Sequence, residues 1–335
     1  MEQFKVSFDA ELATMIAEGR GLMGVWKHVH EGPPHRPHRF CPECDWPWGR
    51  GIFDLHMLLN DAGLWPGVPL LRPLFKALVY GEYRFSSRYC PLASHEERLT
   101  GHLISELSSA LTVVAPAISE RGRETYGQDV VLDFIYEDLA RGGREAYTGA
   151  DFGLVLFINL PGMPKPHIRW SAFQAKKIES GTSTARIELK QLVDLTTWCK
   201  QCGDADAGAY CFYDTDGGRG LAPTVARMWD VKQALKSAGV DPPDSYRSEE
   251  ADRLGKTKPT VDAVQLAHCS LSEHLIFSMA LEGAGAGARS LWEATSFLRR
   301  IPEGREEPAV RRLLVITLGS TRQQDIQDLR DLLRQ

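Results

Sequence analysis

The sequence predicts an α/β fold: a mixed central sheet flanked by helical N- and C-terminal lobes. Three observations predict it. Two strand-length apolar runs, 152–159 and 167–176, flank a Pro/Gly-rich break at 161–166. Both carry β-branched and aromatic residues and read as an antiparallel pair. A helical stripe, Leu99, Leu103, Leu107 and Leu111, follows Ser94, a good N-cap residue. From there to residue 214 the patterns run helix, three strands, helix, strand.

Taken in order, residues 1–30 read as helix from Phe8, Leu12, Met15 and Ile16. Residues 31–51 are a Pro/Gly/His loop holding Cys41 and Cys44, with His35 and His38 just before. Residues 52–80 read as two short apolar helices. After the helix at Ser94, the run DVVLDFIYED (129–138) is the first strand. The turn Thr148-Gly149 leads into Asp151 and the strand pair. Leu189, Leu192, Val193 and Leu195 then recur at helical spacing, and 207–213 is a short buried strand. Val225, Trp229, Val231 and Leu235 suggest a helix, 241–260 a polar connector, 261–280 an apolar helix and 289–300 another. VRRLLVITL (310–318) is a strong strand before a terminal helix at 321–334. These patterns divide the chain into a helical lobe 1–93, a core 94–220 and a mostly helical region 221–335 with one added strand.

Apolar content of 43% and charged content of 25% are ordinary for a globular protein. The sequence offers no run of the length needed to cross a bilayer, and its start lacks a signal-peptide core. A cytoplasmic protein without a membrane partner is expected. A net charge of −5 does not advertise nucleic-acid binding, though a basic groove can sit on an acidic molecule. The seven cysteines are an odd count and argue against a disulfide framework. Cys41/Cys44 and Cys199/Cys202 are two C-x-x-C pairs, which could together hold a structural Zn2+ or be chance spacings.

The chemistry sits at the strand pair. Side chains alternate along a strand, so Gln174 and Lys176 share one face while Phe173 and Ala175 take the other. Asp151 opens the neighbouring strand. A carboxylate, an amide oxygen and an ammonium at one spot suit metal-assisted cleavage of a phosphodiester. Asp151 would hold a hard cation, Gln174 would lend an oxygen, and Lys176 would orient water or steady developing charge. Glu96 lies on the apolar stripe of the upstream helix, where an acid needs a cation; Glu97 is offset toward Thr100 and Ile104. Either Glu also suits the helix dipole. Asp214 and Asp216 form an alternative acidic pair that turn chemistry explains. Lys177 is expected in solvent, and His268, Cys269 and His274 in core or cap positions, with a metal role as the alternative. Arg305, Arg311, Arg312 and Arg322 either line a phosphate-tracking groove or are solvated surface.

This order resembles the core of the PD-(D/E)XK nuclease superfamily in its Q-x-K variant: an acid on an entering helix, an Asp opening one strand, (D/E/Q)-x-K on the next. The matching positions are Glu96 or Glu97, Asp151, Gln174 and Lys176, over roughly residues 94–216, about a third of the chain. The resemblance implies a restriction-endonuclease-like αβββαβ core. It implies Mg2+ (or Mn2+) held by Asp151, Glu96 and Gln174, and endonucleolytic hydrolysis of DNA rather than RNA. It further implies an effector role in bacterial defence against phage, as a homodimer or with a defence-system partner protein. Gln174 departs from the usual acid, removing one negative charge from the cation site and making the helix Glu more necessary. The alternatives are a catalytically inactive nuclease-fold module that binds nucleic acid or protein, and a zinc-stapled scaffold.

Overall fold

In a computed structural model of the 335-residue chain, residues 69–92, 94–139, 146–215, 222–267, 269–300 and 307–319 are described. The predicted helices at 1–30 and 321–334, the 31–51 loop with Cys41 and Cys44, Asp216, His268, Arg305 and Arg322 lie outside these residues.

Two helices, α1 (Leu71–Arg88) and α2 (Glu96–Tyr126), precede strand β1 (Val131–Asp138). Helix α2 runs well past the Leu111 end of its sequence stripe, through Pro116, and stops at Gly127, whose φ of +68° is the left-handed stop that glycine allows. Then come β2 (Ala150–Asn159), β3 (His167–Ile178), the short β4 (Thr184–Arg186), α3 (Leu189–Gln201) and β5 (Gly208–Asp214). Beyond residue 221 lie β6 (Thr224–Arg227), α4 (Met228–Ser237), α5 (Ala251–Lys256), β7 (Thr260–Asp262), α6 (Ala263–Leu266) and β8 (Cys269–Ser270). Last are α7 (Leu271–Glu273), which continues as a π-helix over His274–Glu282, then β9 (Ala286–Gly287), α8 (Leu291–Arg299) and β10 (Val310–Gly319).

The α/β expectation holds, with a mixed, open sheet of ten strands in the order β1-β10-β2-β3-β5-β6-β8; β4 and β9 attach to β3, and β7 to β4. Strand β10 lies between β1 and β2, antiparallel to β1 and parallel to β2. Two expectations change. The region after residue 221 supplies five strands rather than one, so the sheet spans the division expected at residue 220. The 261–280 stretch breaks into β7, α6, β8 and the π-helix, and Val225 belongs to β6 rather than to the helix after it.

Both faces of the sheet are covered. One packs Leu154, Leu156, Phe173, Cys211, Leu314 and Ile316 under α1 and α2. The other packs Val155, Trp170, Tyr210, Phe212, Leu313 and Val315 under α3, α4 and α8. A strand buried on both faces reads as a continuous apolar run, as β2 does: every residue before Asn159 is buried. By length and composition, α2 is the one helix among the described residues long and apolar enough to cross a membrane, which the sequence reading had not expected. Here its apolar stripe, Leu99, Leu103, Leu107 and Leu111, is buried in the core.

Ile316→Ala, in the middle of the inserted strand, is expected to destabilise the chain by about 2–5 kcal/mol, read as a lowered denaturation midpoint in urea. A chain ended after residue 300 loses β10 from the sheet interior and is expected to give no cooperative unfolding transition.

Candidate active site

Asp151 is placed by the turn before it. Gly149 has a φ of +74°, and a Cβ there would meet Gln191 Cβ at 2.9 Å, so glycine both makes the turn and admits α3. The Thr148 hydroxyl accepts from the Ala150 N–H at 3.0 Å and donates to the Ala309 carbonyl, tying the turn to the start of β10.

Strands β2 and β3 pair antiparallel with Phe152 opposite Phe173, which puts Asp151 beside Gln174. Asp151 Oδ2 accepts from Gln174 Nε2 at 2.6 Å and from the Ala175 N–H at 2.8 Å. Lys176 Nζ donates to Gln191 Oε1 at 2.9 Å and lies 3.5 Å from Glu96 Oε2. Glu96 Oε1 accepts from the Lys177 N–H at 3.0 Å, so the first residue of α2 is bonded to β3. Asp151 and Gln174 thus bond to each other, Lys176 and Glu96 pair separately, and the charges of Lys176 and Glu96 are both near enough to act on Asp151.

Glu97 is not part of it. One residue along a helix turns about 100°, and Glu97 instead faces Arg311 Nη1 and Arg312 Nη2, each at 3.6 Å. Those two arginines thus sit at the same end of the sheet as the site. Lys177 is not simply solvated, since its Nζ donates to the Ser94 carbonyl at 3.0 Å. His274 and Cys269 are buried, in keeping with core positions. Asp214 is buried at the end of β5; its proposed partner Asp216 lies outside the described residues.

Sequence reasoning missed two residues. Gln191 bonds the Lys176 ammonium, yet an amide in a first helical turn looks like any surface residue. Tyr210, opposite Gln174 in the parallel β3–β5 register, reads as plain core within AGAYCFY. Its hydroxyl and Gln174 Oε1 are both buried without a hydrogen-bond partner.

Burial raises the Asp151 carboxyl from its ordinary 3.8 to about 6, overriding the Lys176 cation and the Ala175 N–H, which pull it down; the Glu96 charge adds to the rise. The oxygens available to a cation are the carboxylates of Asp151 and Glu96 and the orphaned Gln174 amide oxygen. All are hard donors that suit Mg2+ or Mn2+. Among the described residues no group of three His, Cys, Asp or Glu side chains is arranged for a metal, so a site here depends on the amide as its third protein ligand. Of the zinc candidates, Cys199 is packed against β5, where a Gly208 Cβ would lie 2.8 Å from its sulfur. Burial pushes its thiol well up and that of Cys202 to about 11.

No family model matches this chain, and no curated protein or solved structure matches it either.

The Asp151 shift has a testable sign. The folded value lies above the unfolded one, so its contribution to stability is complete below pH 3.8 and is lost as the pH rises through about 6. Asp151→Asn is therefore expected to melt higher than the unsubstituted protein at pH 8 in metal-free buffer. That advantage should shrink on acidification to a pH-independent remainder near pH 4, followed by thermal melts across the range.

Proposed function

We propose that this chain is a divalent-metal-dependent nuclease that hydrolyses phosphodiester bonds, with a restriction-endonuclease-like core built on α2, β1, β2, β3, α3 and β5. The observation that carries the reading is the convergence of Asp151, Gln174, Lys176 and Glu96 from a helix start and two strands. Their chain order is the one the Q-x-K resemblance requires.

Asp151, Glu96 and the Gln174 amide oxygen would hold Mg2+ or Mn2+. When bound, the ion supplies a Lewis acid and lowers the pKa of a coordinated water. The chain's own residues do the rest. Lys176, held by Gln191 and Glu96, keeps an ammonium beside Asp151, where it orients the attacking water and offsets charge building on the phosphate. Glu96 is held by the Lys177 N–H, which fixes its carboxylate at the site. Arg311 and Arg312, half-neutralised by the exposed Glu97, supply positive charge at the same end of the sheet for a polyanionic substrate despite the net charge of −5. DNA is the substrate assigned, and antiviral defence in the cytoplasm, as a homodimer or with a partner protein, is the role the resemblance suggests.

One observation favours a second reading. Gln174 Nε2 faces Asp151, occupying the carboxylate that a cation would use. A chain that never releases this bond is a non-catalytic nuclease-fold module that binds nucleic acid with a salt dependence and yields no products.

Plasmid degradation in Mg2+ separates the two. Asp151→Ala, Lys176→Ala and Glu96→Ala are each expected to lower the rate by at least about a hundredfold with circular dichroism unchanged, while Glu97→Ala keeps most of it. Undiminished cleavage in Asp151→Ala and Lys176→Ala removes the nuclease reading. Salt-sensitive binding without cleavage by the unsubstituted protein selects the second.

A further inference from the structure

Glu97 is an exposed acid held loosely between two well-covered cations. Its carboxylate oxygens face two guanidiniums, Oε2 towards Arg311 Nη1 and Oε1 towards Arg312 Nη2, each at 3.6 Å. Hydrogen bonds between charged groups are made below about 3 Å, so these two contacts are held by charge alone. The Glu97 side chain is 56% exposed, those of Arg311 and Arg312 only 17% and 12%. The cations are fixed in the fold, and the anion is free to leave. Arg311 Nε and Arg312 Nη1 are buried without a hydrogen-bond partner, so Glu97 does not fill the donors of these two heads.

The arginine pair is built on the sheet beside the candidate cation site. In the parallel β10–β2 register Val310 lies opposite Ala150 and Arg312 opposite Phe152, which puts Arg311 abreast of Asp151. Burial dominates the Asp151 carboxyl; against it work Lys176 from β3, the Ala175 N–H and Arg311 from β10. Strands β3 and β10 flank β2 on opposite sides, so Asp151 has Lys176 on one side and the arginines on the other. A nucleic-acid strand with its scissile phosphate at Asp151 and Lys176 brings a neighbouring phosphate to the arginines. A phosphodiester carries the charge of a carboxylate and the same two free oxygens, so it suits the place Glu97 now fills. Guanidiniums give phosphate oxygens paired, directional bonds, which the distant Glu97 carboxylate does not receive. An exposed ion pair contributes little to stability, so releasing Glu97 is a small loss.

We propose that Arg311 and Arg312 form a seat for the nucleic-acid phosphate next to the scissile one, and that Glu97 occupies this seat in the free protein and leaves it when the substrate arrives. This rests on the nuclease reading above and deepens it. Arg311 and Arg312 bind and position the strand, and Glu97 is an internal competitor that weakens its capture. Two acids adjacent in sequence then act in opposite directions, Glu96 within the cation site and Glu97 against the substrate.

The test is binding of a short fluorescein-labelled DNA duplex to the full chain, read by anisotropy without added divalent metal so that no cleavage competes. Glu97→Gln is expected to tighten binding about threefold, within the range of one exposed ion pair. Glu124→Gln removes the same charge from an exposed position near the other end of α2. It lies roughly 40 Å along the helix, several screening lengths away, and is expected to leave binding unchanged. Arg311→Met with Arg312→Met is expected to weaken binding about tenfold and to flatten its salt dependence by about one phosphate contact. In that background Glu97→Gln then adds nothing, since the seat it blocks is gone. Equal effects of Glu97→Gln and Glu124→Gln, or of Glu97→Gln with and without the arginines, overturn the seat and leave the nuclease reading standing. The first comparison decides alone if the arginine variant does not fold. If neither the unsubstituted chain nor Glu97→Gln binds the duplex at low salt, the nuclease reading beneath the proposal is overturned with it.

Discussion

A buried carboxylate is the constraint around which this structure is arranged. Asp151 sits in the sheet interior, where an unpaired negative charge is unaffordable. It is held by an amide and a backbone N–H of the next strand and lies near the Lys176 ammonium. Each of these comes from β3, so the alignment of β2 on β3 is also the alignment of the site. Slipping the register by one residue would turn Gln174 and Lys176 to the opposite face, under α1 and α2, and leave Asp151 against Phe173.

The surroundings are set by how that pair of strands is buried. Helix α2 covers one face and brings its first residue, Glu96, to the end of β3, where a backbone N–H holds it. Helix α3 approaches from the other face, and Gly149 leaves the room that lets Gln191 reach Lys176. Strand β10 lies along β2 and carries Arg311 and Arg312 to the same end. Four separate stretches of chain thus meet at one edge of the turn at residue 149. The acid–base balance follows from that enclosure, since exclusion of water raises the Asp151 carboxyl although a cation stands next to it.

Much of this was legible in the residues. The antiparallel pair, the shared face of Gln174 and Lys176, the opening position of Asp151 and the narrowing of the helix acid to Glu96 or Glu97 all follow from periodicity and turn chemistry, which act over a few residues. The neighbour of β1 was not legible. VRRLLVITL is visible as a strand, but nothing in it says that it enters between β1 and β2, because an interior slot is offered by the rest of the sheet. The breakage of 261–280 into short pieces was hidden for a similar reason: its residues are apolar enough for a helix, and only pairing with β4 and β6 makes strands of them. Gln191 and Tyr210 were invisible as site residues because an amide on a helix and a tyrosine in a strand acquire a role only from what faces them.

By itself the sequence determined the alternation of elements along the chain and the set of polar side chains that an apolar strand pair would have to accommodate. These are local properties, dictated by side-chain spacing and backbone preference. Only the tertiary structure decided that Glu96 rather than Glu97 meets Lys176, that β10 separates β1 from β2, and that the Gln174 amide turns its nitrogen to Asp151. Those outcomes depend on which groups are left to satisfy one another once water is excluded, and that is settled between segments tens to hundreds of residues apart.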